Sequence, residues 1–166
     1  CYSVTVFDSL ITHYPTWPQL KAYLESDEGG HFRVNESNGL ALIRYEKGVT
    51  NMSLPHSRWL RSVVWNTEGN YPVSIAPPKA STLPCPYQTP EEAVTDNAVF
   101  TEFLDGFMIN CFRMKGDSHI HITSRSKLDA SGTFYSSKTF RQLFLEAFLG
   151  KEGATMGELD KEFQRS

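Results

Sequence analysis

The stretch His31-Phe32-Arg33-Val34-Asn35-Glu36-Ser37-Asn38-Gly39-Leu40-Ala41-Leu42-Ile43-Arg44-Tyr45 decides the class of fold. Two runs, His31 to Glu36 and Leu40 to Tyr45, flank Ser37-Asn38-Gly39. Asn-Gly between such runs is a strong hairpin signal, because both residues tolerate the positive φ that a tight turn between twisted strands requires. A second pair follows: Arg61 to Asn66 and Tyr71 to Ala76, joined by Thr67-Glu68-Gly69-Asn70. The β pattern resumes at Val99, predicting strands over Val99 to Leu104, Phe107 to Arg113 and His119 to Ser124, with a turn at Lys115-Gly116-Asp117. Between these groups, Pro77 to Pro90 holds five prolines, which lack amide donors, so this segment reads as an extended connector rather than a central strand.

Helices are expected on either side. Thr16 is placed to cap a helix with Pro18 in its first turn and Gln19 three residues on; Leu20, Tyr23 and Leu24 then form a short apolar stripe that stops near Gly29-Gly30. Further on, Ser136 or Ser137 is expected to cap a helix whose Phe140, Leu143, Phe144, Ala147 and Phe148 make one apolar face, ended by Gly150. Thr155-Met156-Gly157-Glu158 is a capping box, with Leu159 on the next turn. The sum is an α+β fold, mainly an antiparallel sheet of hairpins with packed helices.

With 166 residues the chain suits a single domain spanning 1–166, and 40% apolar and 21% charged residues mark it as globular. The net charge of −3 gives no bulk attraction for nucleic acid, so any such contact requires a local basic patch. Cys1, Cys85 and Cys111 are odd in number and match no zinc spacing, which suggests a reducing, cytoplasmic compartment. No apolar run approaches the roughly 20 residues of a membrane span, and no signal peptide is visible, so no membrane association is expected. His119 and His121 alternate with Ile120 as metal ligands would on a strand, but the sequence nominates no third ligand, and a structural role is expected.

The segment that bears on chemistry is Thr101-Glu102-Phe103-Leu104-Asp105-Gly106-Phe107-Met108-Ile109-Asn110. Alone, its Asp-Gly is only a turn. Upstream stand Arg58-Trp59-Leu60-Arg61-Ser62-Val63-Val64-Trp65-Asn66 and Ile75-Ala76-Pro77-Pro78-Lys79; downstream stand Ile122-Thr123-Ser124-Arg125-Ser126-Lys127 and Lys138-Thr139-Phe140-Arg141. Arg125 and Lys127, two apart, are expected on one face of a strand.

In this order the chain resembles the RNA ligase 1 family of bacteriophages and its relatives in large DNA viruses, over roughly Leu40 to Leu149. The resemblance implies an ATP-dependent nucleotidyltransferase fold of the RNA/DNA ligase type. It also implies nucleotide contacts from Arg61, Lys79, Asp105, Gly106, Arg125 and Lys127, with ATP and Mg2+ as cofactors and RNA as partner. In that family a Lys-x-Asp-Gly lysine attacks the α-phosphate of ATP. Aligning Asp105-Gly106 with the motif puts Phe103 in the lysine's place, and a phenyl ring has no lone pair to donate. The family's later Glu-Gly and Lys-x-Lys strands are not found before Ser166, so the chain reads as the N-terminal portion of such a domain.

Three functions follow from the resemblance. The first is a degenerate RNA-ligase-like domain that does not self-adenylate but retains nucleotide or RNA binding. The second is an active ligase using a displaced lysine, with Lys79, Lys115 and Lys127 as candidates. The third is a structural or virion-assembly module with viral or other protein partners, since one fold commonly hosts unrelated functions.

Overall fold

The computed structural model describes residues 5–78, 97, 99, 101–102, 104–132 and 137–164. Its elements are α1 (Thr5–His13), α2 (Trp17–Glu25), β1 (Arg33–Ser37), β2 (Leu40–Arg44), β3 (Val63–Asn66), β4 (Tyr71–Ile75), β5 (Ile109–Phe112), β6 (His121–Ser124), α3 (Phe140–Leu149) and α4 (Met156–Gln164). The architecture is α+β. Strands β1 to β4 form an antiparallel sheet in sequence order, and β5 and β6 form a separate two-stranded hairpin.

The first hairpin forms as the sequence predicts. Asn38 and Gly39 both take positive φ, 52° and 76°, and Ser37 pairs with Leu40 across the turn. The second hairpin joins β3 and β4 through 67–70, with Asn66 Oδ1 accepting from the amides of Glu68 and Gly69. A register shift between Val64 and Trp65 bends this pair.

Alternation then gives the sheet two faces. On one, Ala41, Ile43, Val63 and Trp65 pack with Phe7 and Leu10 of α1, Trp17, Leu20 and Leu24 of α2, and Phe32 and Leu60. Trp65 is fully buried, meets the Phe7 ring edge-on at 5.9 Å, and donates its Nε1–H to Asn70 Oδ1 at 3.0 Å. Helix α1 was not anticipated, although Phe7, Leu10, Ile11 and Tyr14 have helical spacing. The Glu36 carboxylate accepts from the Trp17 indole and from Lys21 Nζ, tying α2 to β1.

A second core lies between β6 and the last two helices: Ile120, Ile122, Ala130, Leu145, Ala154 and Leu159. Helix α3 is capped two residues after Ser137, by the Thr139 hydroxyl, which accepts from the Gln142 amide; Ser136 lies outside the described residues. Gly150 ends it in the left-handed region at φ 62°, as expected. The predicted apolar face is met in part: Phe140 and Phe144 pack against this core, but Leu145 is the buried residue, while Leu143 and Phe148 are 39% and 49% exposed. The core-facing side of the helix is thus shifted toward Leu145 from the stripe that periodicity alone selects. In α4 the capping box forms, with Thr155 Oγ1 and Glu158 Oε2 bonding reciprocally to the amides of Glu158 and Thr155.

The main correction concerns the Asp105-Gly106 hairpin. Among the described residues, Val99, Thr101, Glu102 and Leu104 belong to no strand; β5 starts only at Ile109 and takes β6 as its partner. Asp105 and Gly106 lie exposed in the irregular approach to β5, and Gly106 has open space where a side chain would project. β5 pairs with β6 across a turn centred on Lys115-Gly116, where Gly116 takes φ 87°, whereas Asp-Gly alone specifies only a turn and does not require strands on both sides of it. Phe103 lies outside the described residues, as do Lys79 and most of the proline-rich connector. No helix among the described residues is long and apolar enough to cross a membrane.

Candidate functional site

The site is built on the second face of the four-stranded sheet. Asn35, Leu42, Val64 and Ser74 form one row across it, and Arg33 and Arg44 pair directly in the row beyond. Leu42 and Val64 are fully buried although they point away from the first core. The β5–β6 hairpin lies over this face. Asn110 Nδ2 donates to Ser62 Oγ at 3.3 Å, and Asn35 Nδ2 donates to the Ser126 carbonyl at 3.2 Å. Thr123, the register partner of Asn110, is buried with its Oγ1 unpartnered among the described residues. The two sheets therefore meet across a layer that is apolar at Leu42 and Val64 and polar around them.

At one end of this layer, Arg44, Tyr45, Lys47 and Arg125 line a recess of about 380 Å³. Its position follows from the strands. Arg44 is the last residue of β2, and Arg125 is the first residue after β6. The Arg44 Nε is buried without a hydrogen-bond partner among the described residues. Burial, with Arg33 and Arg125 nearby, lowers its guanidinium pKa, since each of these disfavours the charged form. Arg33 is held at 3.5 Å by Glu46; among the described residues Arg44, Lys47 and Arg125 form no ion pair.

Of the residues the sequence singled out, Arg125 reaches this recess. Lys127 does not share its face, because the chain turns after Ser124: the Ser124 amide donates to the Lys127 carbonyl at 2.9 Å and Ser124 Oγ accepts from the Lys127 amide. The turn replaces the strand that alternation assumed. Lys127 instead lines an adjoining recess of about 360 Å³ with Asn35, Ser37, Ser126 and Asp129. Arg61 is half-buried just before β3, and its Nε is likewise buried and unpartnered among the described residues. Lys115 sits in the β5–β6 turn, at the opposite end of the hairpin from Arg125 and Lys127, separated by strands of on the order of 10 Å. It does not join them. Sequence reasoning missed Arg44 and Lys47. The signal was present in the register of the Asn-Gly hairpin, which sets Arg33 opposite Arg44.

His119 and His121 have separate roles. His119 precedes β6 and contacts Asp160 of α4 at 2.9 Å, while the other Asp160 oxygen accepts from the Ile120 amide at 2.8 Å. His121 contacts Asp117. Among the described residues, no three His, Cys, Asp or Glu side chains gather to hold a metal.

The His119–Asp160 contact gives a pH prediction. Bonding to Asp160 raises the His119 pKa, and bonding to His119 and then to the Ile120 amide lowers that of Asp160. The histidine's contribution to stability is full below its ordinary 6.5 and lost as pH rises through its raised value. The aspartate's is full above its ordinary 3.8 and lost as pH falls through its lowered value. Melting temperatures of the wild type and Asp160→Asn should therefore differ most near pH 5, and the difference should shrink, to what the Ile120 amide bond to Asp160 contributes, as pH rises above the histidine's range. An equal difference at every pH would show that charge has no part in docking α4.

The fold and the site define an α+β protein with a cationic recess, lined by no carboxylate among the described residues, where two antiparallel sheets meet. Comparison with protein families, with curated proteins and with solved structures gives no match.

Proposed function

We propose that the chain is an RNA-ligase-like nucleotidyltransferase domain that binds nucleotide or RNA phosphates without adenylating itself. The observation that carries this reading is the recess at the sheet junction, where Arg125, from the basic segment of the resemblance, stands with Arg44 and Lys47 and no carboxylate. In a chain of net charge −3, this is the kind of local patch that nucleic-acid binding requires.

The absence of self-adenylation rests on sequence: Phe103 replaces the amine that must attack phosphorus. Asp105 and Gly106 contribute less than a hairpin tip would, since they stand exposed ahead of β5. The triphosphate of ATP suits the recess by charge, with Arg44, Lys47 and Arg125 as its ligands. Mg2+ is commonly held by one or two carboxylates together with phosphate oxygens, so no cluster of three protein ligands is required. When bound, ATP would supply an activated phosphorus; the chain's own residues hold and orient the phosphates.

Incubation with labelled ATP and Mg2+ should leave no protein-bound adenylate, while single-stranded RNA should bind at low salt and weaken at moderate salt, read by fluorescence anisotropy. An adduct on Lys79, Lys115 or Lys127 would favour the ligase with a displaced nucleophile. Absence of RNA binding at both salts would favour the structural or virion module, a reading that the exposed Leu143 and Phe148 on α3 also support.

A further inference from the structure

The recess has a property that the ligase reading does not require. Arg33 and Arg44 face each other directly across β1 and β2, an arrangement that destabilises a sheet when both side chains are charged. Glu46 forms its ion pair with Arg33, and acts on Arg44 only from a distance, as the least of the influences on it. Arg44, Lys47 and Arg125 remain around one cavity, with one guanidinium nitrogen already desolvated and unpartnered among the described residues. Leaving a buried donor unsatisfied is costly, and a guanidinium satisfies its fork best against a planar or tetrahedral oxyanion. A phosphodiester brings one negative charge to these three cations, whereas a phosphomonoester brings nearly two and has three terminal oxygens to share among them.

We propose that this recess is a binding site for a dianionic phosphate group, free or at the end of a larger molecule, with Arg44 as its central ligand and Lys47 and Arg125 on either side. It deepens the phosphate-binding reading above by naming the kind of phosphate, and it rests on that reading only for the source of the group. Tyr45 closes one wall of the cavity. Arg44 is half-buried at the end of β2, with its Nε turned inward, while Lys47 and Arg125 are exposed.

The test titrates the full chain with ribose 5-phosphate and, at matched ionic strength, with dimethyl phosphate as a monoanionic diester. Ribose 5-phosphate should bind at least tenfold more tightly than the diester, by the charge argument above. Arg44→Gln should weaken it by a factor on the order of ten or more, and Arg44→Lys should restore part of the loss. Because Arg44→Gln removes one of two arginines that face each other across β1 and β2, its melting temperature should hold or rise; a fall in both binding and melting temperature would assign Arg44 a structural role and overturn the proposal. Equal binding of monoester and diester would overturn it as well.

Two RNA arms locate the source. Tighter binding of 5′-phosphorylated than of 5′-hydroxyl RNA supports a terminal phosphate on RNA. Binding of ribose 5-phosphate with neither RNA bound supports the site and sinks the RNA reading. Equal binding of both RNAs, without binding of ribose 5-phosphate, sinks the site and leaves the RNA reading standing.

Discussion

Replacing Trp65 with alanine is expected to cost about 3–5 kcal/mol, most or all of the stability of a domain of ordinary strength. The residue is fully buried at the centre of β3, between α1 and α2, and its ring packs edge-on against Phe7. Removing the indole leaves a cavity on the scale of two aromatic contacts. It also strands Asn70, whose Oδ1 accepts from Trp65 and whose Nδ2 donates to the Tyr14 carbonyl, joining the second hairpin to the segment between α1 and α2. Trp65→Phe should cost less, because it keeps most of the packing and loses the hydrogen bond. Thermal melts followed by circular dichroism would order the three proteins as wild type, then Trp65→Phe, then Trp65→Ala. An alanine variant that melts within a degree or two of the wild type would contradict the packing described for the first core.

The second large effect is chemical. Phe103→Lys, given labelled ATP and Mg2+, should acquire a protein-bound adenylate that the wild type lacks. In that step the neutral lysine nitrogen forms a bond to the α-phosphorus, the bond from that phosphorus to the bridging oxygen breaks, and pyrophosphate leaves with the electron pair. A lysine amine is mostly protonated at neutral pH, so the label should increase toward alkaline pH. The expected adduct is acid-labile, substoichiometric and absent from a Phe103→Arg control, whose guanidinium is no nucleophile at these pH values. If the lysine variant stays unlabelled while still binding RNA, the alignment that puts position 103 in the nucleophile's place is wrong.

The first four strands were legible because their turns are specified locally. Asn38-Gly39 fixes the first register through two positive φ values, and Asn66 organises the second turn through its side chain. The alternation of Ala41 and Ile43 against Leu42 and Arg44 then follows. The Thr155–Glu158 capping box was visible for the same reason, whereas the cap expected from Thr16 does not form, since its hydroxyl donates to the Gln19 side chain at 3.0 Å.

What failed depends on contacts distant in sequence. The Val99 to Leu104 run has strand-like composition, but its described residues belong to no strand, and local pattern does not encode whether a run finds a partner. The buried face of α3 is set by where β6 and α4 lie, and Leu145 falls outside the stripe read from periodicity. The site shows the same division. Arg125 was legible from its motif neighbours. Its separation from Lys127 depends on a turn made by Ser124, and its meeting with Arg44 and Lys47 depends on β6 crossing the first sheet.

The central claim is that this acidic chain holds phosphates through one small group of cations at the sheet junction. The most direct measurement is the salt dependence of single-stranded RNA binding for the wild type and for an Arg44→Gln, Lys47→Gln, Arg125→Gln variant. Each phosphate contact on a single strand contributes about 0.7 to the slope of log affinity against log salt, and the three cations converge on one phosphate, so the variant should lose affinity and about 1 unit of slope. A variant that binds RNA with the wild-type slope would contradict the account.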